Sequence, residues 1–260
     1  MAYQYALYEK KNRIAYITIN RPEVMNALHI HAHLELAEIW NDFRDDPEVW
    51  VAIITGAGEK AFCAGNDLKY TAQHAGEPQP QLPTGGFGGI TNDFECWKPI
   101  IAAVNGYALG GGLEIVLACD IVIAAEHARL GLPEPTVGLM AGAGGVHRLP
   151  RQVPLKVAMG MILTGRHITA QEGYRTGLVN EVVPLADLMS TAEKWAQDSM
   201  RCAPLSVRAS KEQAMKGLDL PLSAALNIST PERQKLFASE DFIEGPKAFS
   251  EKRPPQWKGR

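Results

Sequence analysis

The stretch "KPIIAAVNGYALGGGLEIVLACD", Lys98 to Asp120, decides the fold. It passes from a β-branched apolar segment through a glycine-rich turn into "LEIVLACD", which reads as a buried helix. The plan resembles that of the preceding "WVAIITGAGEKAFCAG", a buried strand ended by glycines. The following "IVIAAEHARLGLPEP" is again strand-like. Strands therefore alternate with helices, but strand pairs and short links also occur. This predicts an α/β fold wound as a spiral of ββα turns rather than a doubly wound sheet. Toward the N-terminus, "YALYEKKNRIAYITIN" predicts a hairpin with its second limb at Ile14 to Ile19. A turn at "RPEVMNAL" then leads to a helix through "HIHAHLELAEIWNDFRDD", with apolar Leu34, Ile39 and Trp40.

The apolar run after the glycines carries one carboxylate, Glu114, and "GLPEP" sets Glu134 in a second apolar context. A buried ionised carboxylate without partners is costly or shifts its pKa. Glu114 falls in the first turn of its helix, where the dipole favours the anion while apolar neighbours favour the neutral acid. Two carboxyls in such settings suit acid/base addition of water, one activating water and the other delivering a proton to carbon. Pairing each to an arginine or a backbone N–H is the structural alternative. Glycines allow close approach of backbone, so the amides opening the helix after "LGGG" and the amide of Asn66 in "AGNDLK" are two candidate donors to a developing oxyanion.

With 260 residues, 46% apolar, the chain has enough material for a substantial core. A charged fraction of 21% and a net charge of −3 fit neither a disordered chain nor a basic nucleic-acid binder. An anionic ligand must then be held by local cations. Cys63, Cys96, Cys119 and Cys202 match no zinc or redox spacing and read as buried hydrophobes in a reducing compartment. No secretory leader or membrane-length apolar run is evident, so the expected location is cytoplasmic, with no membrane partner. Gly56, Gly58 and Ala61 spell G-x-G-x-x-A, but no helix is expected there, which argues against a dinucleotide site. His29 and His33 would share a helix face. With no third ligand evident, a solvated face is expected and no metal site. Thr71 to Gly89, rich in Pro and Gly, reads as an irregular loop. From about Gly145 successive amphipathic helices are expected, with Thr230 and Ser239 as N-caps.

Together "RPEVMNAL", "AFCAGNDLK", "KPIIAAVNGYALGGGLEIVLACD", "LPEPTVGLMAGAGGVHRLPR" and "LTGRHITAQEGYRTGLVNEVV" resemble, in order, the crotonase (enoyl-CoA hydratase/isomerase) superfamily over nearly the whole chain. The resemblance implies a ββα spiral core at residues 1–195 that binds CoA and carries catalysis. Residues 196–260 would form a C-terminal helical trimerisation region. It implies a homotrimer, or a hexamer of paired trimers. The implied reaction is reversible addition of water to a trans-2-enoyl-CoA, with coenzyme A as part of the substrate and no separate cofactor. Backbone amides of Asn66 and Gly111 would polarise the thioester carbonyl, and Glu114 and Glu134 match the two catalytic glutamates. Ala27, Ala64 and Leu68 match backbone segments that hold CoA. Lys69 matches a phosphate-contacting lysine, and Phe249 and Lys252 match C-terminal residues that reach the nucleotide, in some members from a neighbouring subunit.

The pattern is especially similar to carnitinyl-CoA dehydratase-type members, whose acyl group carries a trimethylammonium. Tyr70, Phe87, Phe94 and Trp97 are candidate aromatic surface for such a group. Ala141 stands where many hydratases carry proline, and the loop after Tyr70 would line the acyl pocket. An isomerase or a thioesterase of the same fold is the alternative reading.

Overall fold

The computed structural model describes residues 3–78 and 80–260. Among the described residues ten strands form two sheets. The larger has the order β1 (Ala6–Lys11), β2 (Ile14–Ile19), β3 (Val51–Gly56), β5 (Ile100–Val104), β7 (Ile121–Ala125), β10 (Glu181–Val183). The smaller has the order β4 (Ala61–Cys63), β6 (Tyr107–Leu109), β8 (Arg129–Gly131), β9 (Ile168–Thr169). The β1–β2 hairpin and the β8–β9 pair are antiparallel; every other pairing is parallel. Each of the turns β3–β4, β5–β6 and β7–β8 gives one strand to each sheet, so the chain winds as the ββα spiral the sequence predicts.

The apolar strands are continuous because both faces of the larger sheet are covered. Ile53, Ile101, Ala103 and Ile123 face one core, and Ala52, Ile54, Ala102, Val104 and Ala124 face the other. On the second side lie α1 (Ile30–Asp45) and α3 (Gly111–Ala118), with α2 (Leu68–Gln73) between them in sequence. Helices α4 (Gly145–Gln152), α5 (Leu155–Thr164) and α6 (Ala170–Thr176) follow, and α7 (Leu188–Met200) packs Leu188, Ala192 and Ala196 on the first side. Helices α8 (Pro204–Gly217), α9 (Leu222–Ala225), α10 (Pro231–Phe237) and α11 (Glu240–Ser250) complete the chain. Residues 195 and 196 lie inside α7, and the next break between helices is at residues 201–203.

Ser239 caps α11, its hydroxyl accepting the Phe242 N–H at 3.1 Å. Thr230 stands at the start of α10 but does not cap it; its hydroxyl takes the Gln213 side-chain N–H instead. The buried Glu212 supplies the cap from α8, accepting the Glu232 N–H at 2.9 Å. The G-x-G-x-x-A stretch joins β3 to β4 and opens no helix. All four cysteines are free thiols; Cys63 and Cys96 are buried as expected, but Cys119 is half-buried and Cys202, after the end of α7, is exposed. Among the described residues no helix is long and apolar enough to cross a membrane, and no cluster of three metal-ligating side chains occurs.

Candidate active site

One cavity of about 1180 Å³ opens between the glycine turn before α3, the loop before α2 and the turn after β8. Ala64, Asn66, Leu68, Gly111, Glu114 and Glu134 all border it. Its position follows from two backbone approaches. Leu28 and Asn66 form a lone parallel bridge, with the Leu28 N–H donating to Gly65 O at 2.8 Å and the Asp67 N–H to Leu28 O at 2.9 Å. This ties the loop after β4 to the segment that leads into α1. Gly65 has φ +94°, and a Cβ there would stand 2.9 Å from Leu109 O and 3.2 Å from the Gly111 nitrogen. Only glycine lets this loop and the turn after β6 close to this distance. Among the described residues, neither the Asn66 nor the Gly111 amide has an acceptor within the protein. The Gly111 amide also opens α3, where the positive end of the helix dipole adds to its pull on an anion.

Asp67 fixes the same loop from below. It caps α2 by accepting the Tyr70 N–H at 3.0 Å, and it pairs with Arg21 at 3.0 Å, both side chains nearly buried. Burial opposes its charge, but the Tyr70 amide and Arg21 outweigh it and hold the carboxyl below its usual range. Arg21 Nη1 also donates to Ala27 O.

Glu114 lies in the first turn of α3 and is only 3% exposed. Burial pushes its pKa up to about 7; the Gly145 N–H, donating to Oε1 at 2.8 Å, opposes the rise, and the nearby Glu134 adds to it. Glu134 opens a 3-10 turn, Glu134–Val137, and burial raises its pKa as well. Its Oε2 is buried with no hydrogen-bond partner among the described residues. A Cβ on Gly110 would stand 3.1 Å from Glu134 Oε1, so this carboxyl lies against the residue preceding the free Gly111 amide. Two unengaged amides and two carboxyls with raised pKa on one cavity can together hold a developing oxyanion and move protons beside it.

The other expected residues are dispersed. Ala27 is buried behind the loop, its carbonyl taken by Arg21. Lys69 is exposed on α2. Phe249 is 87% exposed at the end of α11, and Lys252, just beyond it, is exposed too; neither borders the cavity. Of the four aromatic candidates, Tyr70 and Phe87 line the cavity. Phe94 instead packs near Trp40, and the Trp97 ring lies under Lys216.

The histidines of "HIHAH" correct the expected solvated face, because His29 and His33 are both buried and border the cavity. His29 is not on the helix but caps it, its Nδ1 accepting the Ala32 N–H at 3.2 Å. His33 Nδ1 accepts the Gly88 N–H at 3.0 Å. The loop through Phe87 folds over α1 and buries what helical periodicity alone leaves outside. Asn26 and Asn105 also carry more than the sequence reading gave them. Their side-chain amides donate to Ala57 O and Ala61 O, and to Gly56 O and Gly58 O, locking the turn between β3 and β4 under the site.

The sequence pattern of the enoyl-CoA hydratase/isomerase family matches residues 9–260. An (E)-benzylidenesuccinyl-CoA hydratase of Thauera aromatica is 45% identical over 259 residues, covering 96% of this chain and 98% of that protein. A carnitinyl-CoA dehydratase of Escherichia coli K12 is 44% identical over 256 residues, covering 96% and 97%. The crystal structure of an enoyl-CoA hydratase from Bacillus anthracis superposes with a TM-score of 0.90 at 38% identity, covering 99% of this chain and all of that one. The chain belongs to the enoyl-CoA hydratase/isomerase family and has its fold.

Proposed function

We propose that this enzyme adds water reversibly across the C2=C3 bond of a trans-2-enoyl-CoA thioester. Family membership supports the substrate class. The observation that carries the chemistry is the meeting of Glu114, Glu134 and the free amides of Asn66 and Gly111 on one cavity. The thioester oxygen accepts both amide hydrogens. An ionised carboxyl takes a proton from water as the water oxygen bonds to C3. The C2=C3 electron pair moves toward the carbonyl, whose oxygen gains charge under the amides. The second carboxyl, protonated, then gives its proton to C2 as the carbonyl re-forms. C2 is one bond from the thioester carbon, so Glu134, beside Gly110, is assigned to C2 and Glu114 to water. The reaction balances without a redox cofactor, coenzyme A being part of the substrate.

The backbone at Ala27, Ala64 and Leu68 would track the CoA arm, with Lys69 toward its phosphates. Phe249 and Lys252 would complete the nucleotide site of a neighbouring copy in a homotrimer or a pair of trimers. A second reading, dehydration of a carnitinyl-CoA-type substrate, draws on one relative and on charge. Glu77 and Asp93 also border the cavity, and no lysine or arginine does among the described residues.

Loss of the enoyl-thioester absorbance over a panel of crotonyl-, hexenoyl- and crotonobetainyl-CoA tests the reading. Glu114→Gln and Glu134→Gln should each lower turnover by at least about 10²-fold. Near-normal rates in both would remove the assignment. Release of free CoA would support a thioesterase, and a shifted double bond an isomerase.

A further inference from the structure

Among the polar groups on the cavity wall that the mechanism above leaves unused are His33 and Thr91. His33 is 3% exposed, and its Nδ1 is taken by the Gly88 N–H at 3.0 Å. An imidazole whose Nδ1 accepts is neutral and carries its proton on Nε2. That Nε2–H has no acceptor among the described residues, and the residue borders the cavity. Thr91 is 4% exposed and borders the same cavity, and its hydroxyl is buried without a partner.

These groups are joined to the reacting centre by contacts. The His33 and Phe87 rings stand edge to face, 4.4 Å between centroids. Phe87 also presses on Gly111, where a Cβ would lie 2.4 Å from the ring. Thr91 sits across from Gly86 in the same loop, its hydroxyl 3.0 Å from the position of a Gly86 Cβ. One loop, Gly86 to Thr91, therefore builds a wall from the free Gly111 amide to two neutral donors. An alkyl chain against this wall would desolvate the His33 Nε2–H and leave the Thr91 hydroxyl, buried already, without a partner, which is unfavourable.

We infer that His33 Nε2–H and the Thr91 hydroxyl select an acyl group bearing an uncharged oxygen acceptor, a ketone or hydroxyl, beyond C3. The inference rests on the hydratase reading and names its substrate class. A carboxylate is disfavoured because Glu77, Asp93, Glu114 and Glu134 border the cavity and no lysine or arginine does among the described residues; Arg148, behind the wall, is engaged by Thr91 O and Ala143 O. A trimethylammonium accepts no hydrogen bond and would leave both donors unpaired, so the wall favours the first reading over the second.

The test compares kcat/KM for trans-2-heptenoyl-CoA with its 6-oxo and 6-hydroxy counterparts and with the mono-CoA thioester of 2-heptenedioic acid. Calorimetric binding of the saturated thioesters of the same set is measured alongside. The wild type should favour the oxo or hydroxy chain by about 10-fold or more over the alkyl chain. Thr91→Val and His33→Leu should each cut that ratio several-fold. His33→Gln, which can accept from Gly88 and still donate, should restore most of it. A wall that merely supports the loop would lower all rates together and leave the ratio in place. Equal use of alkyl and oxo chains, preference for the carboxylate, or an unmoved ratio in Thr91→Val would overturn the inference even if His33→Leu fails to fold. If no chain is hydrated but the binding preference persists and falls in Thr91→Val, the hydratase reading fails while the selectivity stands.

Discussion

Glu114 holds its proton more tightly in the folded chain than an ordinary glutamate, with a pKa of about 7 against 4.5. Below about pH 4.5 this carboxyl is protonated whether the chain is folded or not. Between pH 4.5 and 7 the unfolded chain releases the proton and the folded one keeps it. Glu114 therefore costs increasing stability as pH rises through this window, and the cost is complete above pH 7. Its upper bound is about 3 kcal/mol. Glu114→Gln keeps an oxygen for the Gly145 N–H and removes the ionisation. The variant should match the wild type in thermal midpoint near pH 4.5 and exceed it by up to about 5 °C at pH 8, while losing turnover. A midpoint gap independent of pH would mean that Glu114 does not titrate in this range. Glu114 stands out in the sequence because an acidic residue in an apolar helix is anomalous wherever it folds, whereas Glu134, in "GLPEP", is singled out mainly by the family resemblance. His33 is not legible there, because nothing in helical spacing tells that a glycine-rich loop more than fifty residues on will cover it.

At the scale of elements, the loop that presents the Asn66 amide is held through Asp67, which has two duties: cap of α2 and partner of buried Arg21. They can be separated. Asp67→Asn preserves an oxygen for the Tyr70 N–H but leaves the guanidinium without its counter-charge. Asp67→Ala removes both. Breaking a buried pair from one side and losing a cap each cost stability, so Asp67→Asn should lose about 2–3 kcal/mol and Asp67→Ala about 1 kcal/mol more. Urea denaturation measures both, and equal losses would show that the cap adds nothing. Turnover should fall with stability, because the loop sets the direction of the Asn66 amide. The strands on either side needed no such detail to be foreseen. "VAII", "IIAAV" and "IVIAA" are apolar at every position because both faces of their sheet are buried, and that alone separates them from surface strands. The caps were half legible. Serine at 239 acts locally, whereas Thr230 is diverted to Gln213 and the cap comes from Glu212 on another helix, a tertiary choice invisible to local spacing.

At the scale of the whole molecule, the C-terminal helices leave a surface that one chain does not cover. Leu222 and Leu226 are each 74% exposed, beside a groove of about 640 Å³ that Leu218, Leu236 and Phe237 also line. Water-exposed leucines scattered singly are ordinary, but a contiguous row on successive helices is the kind of face that association buries. The proposed assembly gives this face an occupant and gives Phe249 and Lys252 a ligand, since neither reaches the cavity of its own chain. Sedimentation should then return a mass near three or six times 28.4 kDa at micromolar concentration. The double substitution Leu222→Asp, Leu226→Asp puts charge where apolar contact is expected and should shift the protein to smaller species. The helix α7, on the sheet rather than on this face, should keep the core folded. If Phe249 and Lys252 serve the neighbour's nucleotide, the dissociated variant should show KM for CoA thioesters raised by about 10-fold or more. A short pantetheine thioester, which lacks the nucleotide, should be used by both proteins with similar KM. Dissociation with unchanged KM for the CoA thioester would confine the C-terminal helices to assembly, and a monomeric wild type would remove the trimer altogether.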